Sequence, residues 1–177
     1  KKKKMIKYVK IYDLIGFKIC WILCASCSVW SMPYLGPLVT LIFILIHLKI
    51  VNFDSTNIKI IILAIFLGLI IDSLFFRMNL IEYSGGFLAE KKIAPLWILS
   101  MWAGFSVTLI YTLQSLRENL FLSSILGIIG GPLSYSAGVQ IGSITIHNQI
   151  AYIFLSIAWG LVVPLIFLAI NKFNKNV

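Results

Sequence analysis

Between Glu118 and Lys172 the chain has 53 consecutive residues without a single Asp, Glu, Lys or Arg. A helix needs only about 20 apolar residues to cross the hydrocarbon of a bilayer. The run is therefore long enough to cross twice, and no water-facing surface can be built from it. A second uncharged stretch of 24 residues, between Lys92 and Arg117, is one further span with some tilt. The whole chain is 60% hydrophobic and 12% charged, against about 25% charged residues in soluble domains. Its net charge of +9 would suggest nucleic acid in a soluble protein. Here the basic residues flank apolar runs, so they read as topology signals and no nucleic-acid partner is expected.

The predicted fold class is all-α, a polytopic transmembrane bundle of about six helices in one domain over 1–177. The spans are placed at 11–32, 35–51, 57–77, 94–116, 119–140 and 148–171. Pro33, Gly36 and Pro37 divide the first long apolar run into a hairpin, because proline removes a backbone donor and clashes inside a helix. In this arrangement twelve Lys and Arg residues fall on one side and only Arg77, Lys91 and Lys92 on the other. That bias puts both termini in the cytoplasm. The basic start, Lys1 to Lys4 with Lys7 and Lys10, also has the look of a signal peptide, but the apolar segment behind it has the length of a full span. Lys1 to Lys4 precede Met5, and an upstream start or an added tag would each account for them.

Asp72 is the most informative single residue, since a carboxylate inside a span costs about 2.5–3.5 kcal/mol to insert. It is expected roughly 7 Å toward the outer face from the centre of the third span, at about 1.5 Å rise per residue. Pairing with Arg77 near the interface is the bland account of it. The sharper account is a polar pocket in the outer half of the bundle, with Asp72 at its centre, Tyr135 as donor, and Ser73, Trp97, Ser100, Ser134 and Gln140 in the same layer. These seven residues are the expected ligand-binding set. No catalytic residue is assigned, and no metal or cofactor is expected. Trp30 and Trp97, near span ends, also suit the aromatic belt of a membrane interface.

The fifth span carries Ser123, Gly127, Gly131, Ser134, Gly138 and Gly142 at helical spacing, a small-residue stripe of the kind that lets helices approach closely in lipid. Gly127, Gly131, Gly138 and Gly142 are its expected packing residues, toward a neighbouring helix or another membrane protein. Pro132 within it predicts a kink or break, and broken helices build substrate sites in transporters. Cys20, Cys24 and Cys27 have the C-x3-C-x2-C spacing of a cluster motif, but inside a span they read as buried small apolar residues. His47, beside Lys49, reads as a marker of the membrane boundary. The 78–93 loop, with Glu82, Tyr83, Gly85 and Gly86, reads as an external lid or interfacial turn.

Four strings resemble an uncharacterised family of small bacterial inner-membrane proteins known only as a domain of unknown function. They are Ala94-Pro95-Leu96-Trp97, Gly130-Gly131-Pro132-Leu133-Ser134-Tyr135-Ser136-Ala137-Gly138, Gly36-Pro37-Leu38, and Gly68 four residues before Asp72. The resemblance implies the bacterial inner membrane and genes beside those for fatty-acid modification of membrane lipids; it assigns no catalytic residue. The leading expectation is binding or transport of a lipid-like or small amphipathic molecule, with membrane lipid as partner. An intramembrane lipid-modifying enzyme using Asp72, and a scaffold or transporter subunit, are the alternatives, and enzymatic activity is left open with a lean against it.

Overall fold

The computed structural model describes the backbone of residues 2–174 and the side chains of residues 7–174; the side chains of Lys1 to Lys4 lie outside the described residues. Six apolar helices carry the fold: α1 (Lys2–Val29), α2 (Leu35–Ile50), α3 (Ser55–Arg77), α5 (Leu96–Tyr111), α6 (Leu120–Ile141) and α7 (Ile150–Asn174). A one-turn helix α4 (Phe87–Glu90), a 3-10 turn at Gln114–Leu116 and two three-residue strands, β1 (Ile81–Tyr83) and β2 (Ile144–Ile146), complete it. Among the described residues, four helices, Lys7–Val29 within α1, then α3, α6 and α7, are long and apolar enough to cross a membrane. The helices α2 and α5 are apolar but have 16 residues each, a length of about 24 Å against a hydrocarbon core of about 30 Å.

The surface confirms the solvent. Leu41, Ile42, Leu45 and Ile46 of α2, Ile62, Phe66 and Ile70 of α3, and Ile153, Ile157 and Leu161 of α7 are all exposed. A water-soluble protein rarely leaves such contiguous apolar faces uncovered. The chain is an integral membrane protein.

At the centre lies α5, which touches α1, α2, α3 and α7. Its run from Trp102 to Ile110 is buried apart from the half-buried Phe105, so its shortness is covered by protein on several sides. The larger core cluster joins α3, α5 and α7 through Ile60, Ala64, Leu109, Leu155 and Ile166. A smaller one joins α1, α2, α3 and α5 through Cys20, Phe43, Ile44, Ile61 and Val107. Cys20, Cys24 and Cys27 are free and buried, the packing role expected of them.

The 78–93 loop departs from a simple lid. Ile81–Tyr83 pairs antiparallel with Ile144–Ile146, Glu82 opposite Thr145, and so ties the α3–α5 connection to the α6–α7 connection. Alternation is the cause: Ile81 and Tyr83 point inward and Glu82 outward, a period of two that suits a strand. Ser84 extends the tie by donating its N–H to the Ser143 carbonyl at 3.0 Å, and its hydroxyl meets Ser28 Oγ of α1 at 3.0 Å.

The small-residue stripe of α6 is used inside the chain. A Cβ on Gly127 would come within 2.1 Å of the Trp159 carbonyl oxygen, and one on Gly131 within 2.4 Å of the Trp159 ring. These two glycines let α6 lie against α7. Gly138 instead accommodates Ile144 of the following strand, and Gly142 is an exposed left-handed cap with φ 87° and nothing within 4 Å of a Cβ. Gly142 therefore ends the helix instead of packing it, because only glycine adopts that backbone freely. The break expected at Pro132 is also absent: α6 runs unbroken from Leu120 to Ile141, and the Ser136 hydroxyl donates to the Pro132 carbonyl at 2.9 Å.

Replacing Gly127 by Val should force α6 and α7 apart and cost about 1–3 kcal/mol, seen as an earlier thermal transition of the detergent-solubilised protein. The change Gly130→Ala, where a Cβ meets nothing within 4 Å, should leave that transition in place.

Candidate functional site

Asp72 is fully buried on α3 and holds together four elements. Its Oδ1 accepts the hydroxyl of Tyr83 from β1 at 2.6 Å and the hydroxyl of Tyr135 from α6. Its Oδ2 accepts the indole N–H of Trp102 from α5 at 2.6 Å. A hydrogen bond is worth about 0.5–1.5 kcal/mol, and about 1.5–3 kcal/mol when its acceptor is charged. Three of them are of the size of the insertion cost of about 2.5–3.5 kcal/mol for one acidic side chain. Burial, reinforced by neighbouring Asp72 and Tyr135, holds the Tyr83 phenol well above its ordinary range, so it keeps the proton that it donates. Arg77 is exposed and takes no part, which corrects the pairing considered from sequence.

The glycine one turn before the aspartate makes this geometry possible. A Cβ on Gly68 would lie 2.3 Å from Cδ1 of Trp102; without it the indole lies flat on α3 and its N–H reaches Asp72. On its other face Trp102 stacks on Trp159 of α7, with ring centroids 4.4 Å apart and planes within 14°. Gly131 then backs Trp159 from α6. Two indoles are thus clamped between two glycines, and the clamp joins α3, α5, α7 and α6 in sequence.

Beside the cluster is a cavity of about 250 Å³ between α1, α5, α6 and α7, close to the lower end of about 300–1,000 Å³ typical of small-molecule sites. Phe17, Trp21, Met101, Phe105, Leu126 and Val163 give it an apolar wall, and Trp102 and Tyr135, the partners of Asp72, form part of that wall. Gly130 faces open space here. Polar groups in the wall are few. Trp21 Nε1 donates to Ser134 Oγ at 3.1 Å across the α1–α6 seam, which leaves the Ser134 hydroxyl proton free. Trp159 Nε1 is buried, closed off from the cavity, with no hydrogen-bond partner among the described residues. Among the described residues, no Lys, Arg, Asp or Glu lines it.

The residues expected to form the pocket divide into two groups. Asp72 and Tyr135 meet directly, and Trp97, Ser134 and Tyr135 line the cavity. Ser73 instead accepts the N–H of Ala94 at 2.9 Å and fixes the start of α5. Ser100 donates to the Leu96 carbonyl of its own helix, and Gln140 is exposed at the end of α6. Helical phase accounts for all three, since each lies on a face turned away from Asp72. Trp97, 1% exposed and donating to the Ser84 carbonyl at 2.8 Å, is buried structure and not an interfacial anchor. Sequence reasoning missed Trp102, Tyr83 and Trp159; the signal available was Gly68 and Gly131, whose missing side chains make room for the indoles.

Asp72→Leu should strand three buried donors at about 1–3 kcal/mol each, enough to abolish a cooperative melt in detergent. Gly68→Val, which keeps the carboxylate but displaces Trp102, should lower the melting temperature and red-shift the tryptophan emission.

A family model described as protein of unknown function (DUF2878) matches residues 10–165. Neither a curated protein nor a solved structure matches the chain.

Proposed function

The chain belongs to the DUF2878 family, and we propose that it binds a lipid-like or small amphipathic molecule in the cavity walled by Trp102, Tyr135 and Trp159, as a carrier of that molecule or an accessory to membrane-lipid modification. The observation that carries this reading is an aromatic cavity inside a membrane protein whose wall offers one unengaged donor, the Ser134 O–H. Such a pocket favours an apolar body ending in a neutral hydrogen-bond acceptor. A carbonyl or ester oxygen fits this donor, whereas a free carboxylate or phosphate would meet no cation there among the described residues. Asp72 acts behind the wall: by fixing Trp102 and Tyr135 it sets the shape of the cavity, and both of its oxygens are already engaged.

The fold favours six crossings. The beginnings of α1 and α3 and the ends of α2 and α5 share one end of the bundle, where Asp13, His47, Asn57 and Tyr111 join. The two-stranded β1–β2 ribbon ties the ends of α3 and α6 together, so successive helices alternate in direction. With the basic residues gathered on the first of these ends, we place both termini in the cytoplasm of a bacterial cell and the ribbon outside its inner membrane.

Native mass spectrometry of protein released gently from detergent should show a stoichiometric neutral ligand on the wild type, reduced in Asp72→Asn and in Gly131→Leu, which fills the cavity flank. A wild type free of any bound molecule, folded and reconstituted with total membrane lipid, would sink the reading. A fluorescent protein fused after Val177 should fluoresce, and a periplasmic reporter inserted at Gly86 should be active, if the topology is right.

A further inference from the structure

A second buried polar group lies at the other end of the bundle. Asp13 of α1 and His47 of α2 are both fully buried, with Asp13 Oδ1 and His47 Nδ1 2.7 Å apart. On the far side of the ring, His47 Nε2 lies 3.0 Å from Asn57 Oδ1 of α3. The orientation of Asn57 is fixed, because its amide nitrogen donates to Asp54 Oδ2 at 2.8 Å and to the Tyr111 hydroxyl of α5 at 3.3 Å. Its oxygen must therefore face the ring as an acceptor, and Nε2 must carry a proton. The short Asp13–His47 contact needs a second proton between its two atoms, since two lone pairs would otherwise repel in a site without water contact. The pair as a whole is then neutral, with one proton shared between carboxylate and imidazole.

Asp13 Oδ2 is buried without a hydrogen-bond partner among the described residues, although an acceptor left unsatisfied in an apolar interior costs about 1–3 kcal/mol. The titratable groups that face the pair are Tyr12 on α1, whose hydroxyl is turned away to the Phe43 carbonyl at 2.9 Å, Asp54 at the start of α3, and Tyr111 on α5. No lysine or arginine is bonded to the pair among the described residues.

We propose that Asp13 and His47, with Asn57 holding the ring, form a proton-binding site separate from the Asp72 cluster, at which protons arrive and leave through Asp13 Oδ2. When this end of the bundle opens locally, a hydronium ion gives up one proton to Oδ2 and becomes water. A new O–H bond forms on Asp13, and the pair passes from neutral to singly positive, with Asp54 held through Asn57 as the adjoining carboxylate. Buried Asp and His groups in membrane helices are costly and pair for such use. Because α1, α2, α3 and α5 all contribute to this shell or its contacts, its protonation is felt by the four helices at once.

The sequence has two histidines, and His147, exposed beside Glu82, gives an internal comparison. Nitrogen-15 histidine labelling of the full chain in detergent micelles should show, at neutral pH, a protonated Nε2 on His47 and a far-downfield proton in the Nδ1–Asp13 bond. His47→Gln assigns the signals, and Asp13→Asn should remove the downfield proton while leaving that of Nε2. Transfer into heavy water should replace the shared proton before the backbone amides of 11–14 exchange. A bare Nε2 in the wild type would overturn the assignment of two protons; a shared proton that outlasts those amides would overturn exchange through Oδ2. Both readings come from the wild type, so they hold even where a variant fails to fold.

Discussion

A carboxylate with no water to solvate it must be satisfied by the protein around it, and the upper half of this bundle is arranged by that requirement. Asp72 draws one donor from each of β1, α5 and α6. Removing Cβ atoms at Gly68 and Gly131 lets the indoles sit between helices, so the hydrogen-bond demand and the packing demand are met by the same side chains. In lipid, where apolar faces gain little from meeting one another, such polar anchors and close glycine contacts take over the work that burial of apolar surface does in water. The cavity follows from this: bulky rings fixed by hydrogen bonds and stacking cannot collapse into the space beside Gly130.

Much of the helical layout was legible from the sequence, and for a plain reason. The absence of charge over 119–171 admits few structures in any solvent, and the helices α6 and α7 occupy that stretch within a few residues of the expected spans. Pro33 likewise marks the turn between α1 and α2, and Pro37 lies in the first turn of α2. Asp72 and Tyr135 were legible as a pair because each is a polar residue at matching depth in a neighbouring apolar helix. What escaped was direction around the helix axis. Apolar helices carry weak amphipathic signals, so Ser73 and Ser100 face elsewhere and Gln140 lies exposed at the end of α6, while Trp102 was concealed among other aromatic residues. The ribbon escaped because three residues per strand are too few to announce a period.

Asp13 and His47 show a different blind spot. His47 sits next to Lys49 and reads as a boundary residue, and Asp13 sits among the lysines of the first helix, where a carboxylate seems ordinary. Their burial comes from tertiary packing: α1 and α3 begin where α2 ends, and Asn57 closes the ring from the third side. No spacing along the chain joins positions 13, 47 and 57. The two polar groups are therefore opposite in legibility, one deep within an apolar string and the other disguised by charged neighbours.

The order in which the chain is made adds a further constraint. Tyr135 lies 63 residues beyond Asp72, and Trp102 lies 30 beyond it. At roughly 5–20 residues per second of synthesis, the carboxylate exists for about 3 to 13 s before its last donor leaves the ribosome. During that interval α3 carries an incompletely satisfied acid. It must wait near the headgroups, or lean on water admitted by the insertion machinery, until α6 arrives. The clamp of indoles and glycines is thus also a late step in biogenesis, and a chain stalled before α6 would present quality-control proteases with a helix that has an acid at its heart and nothing to hold it.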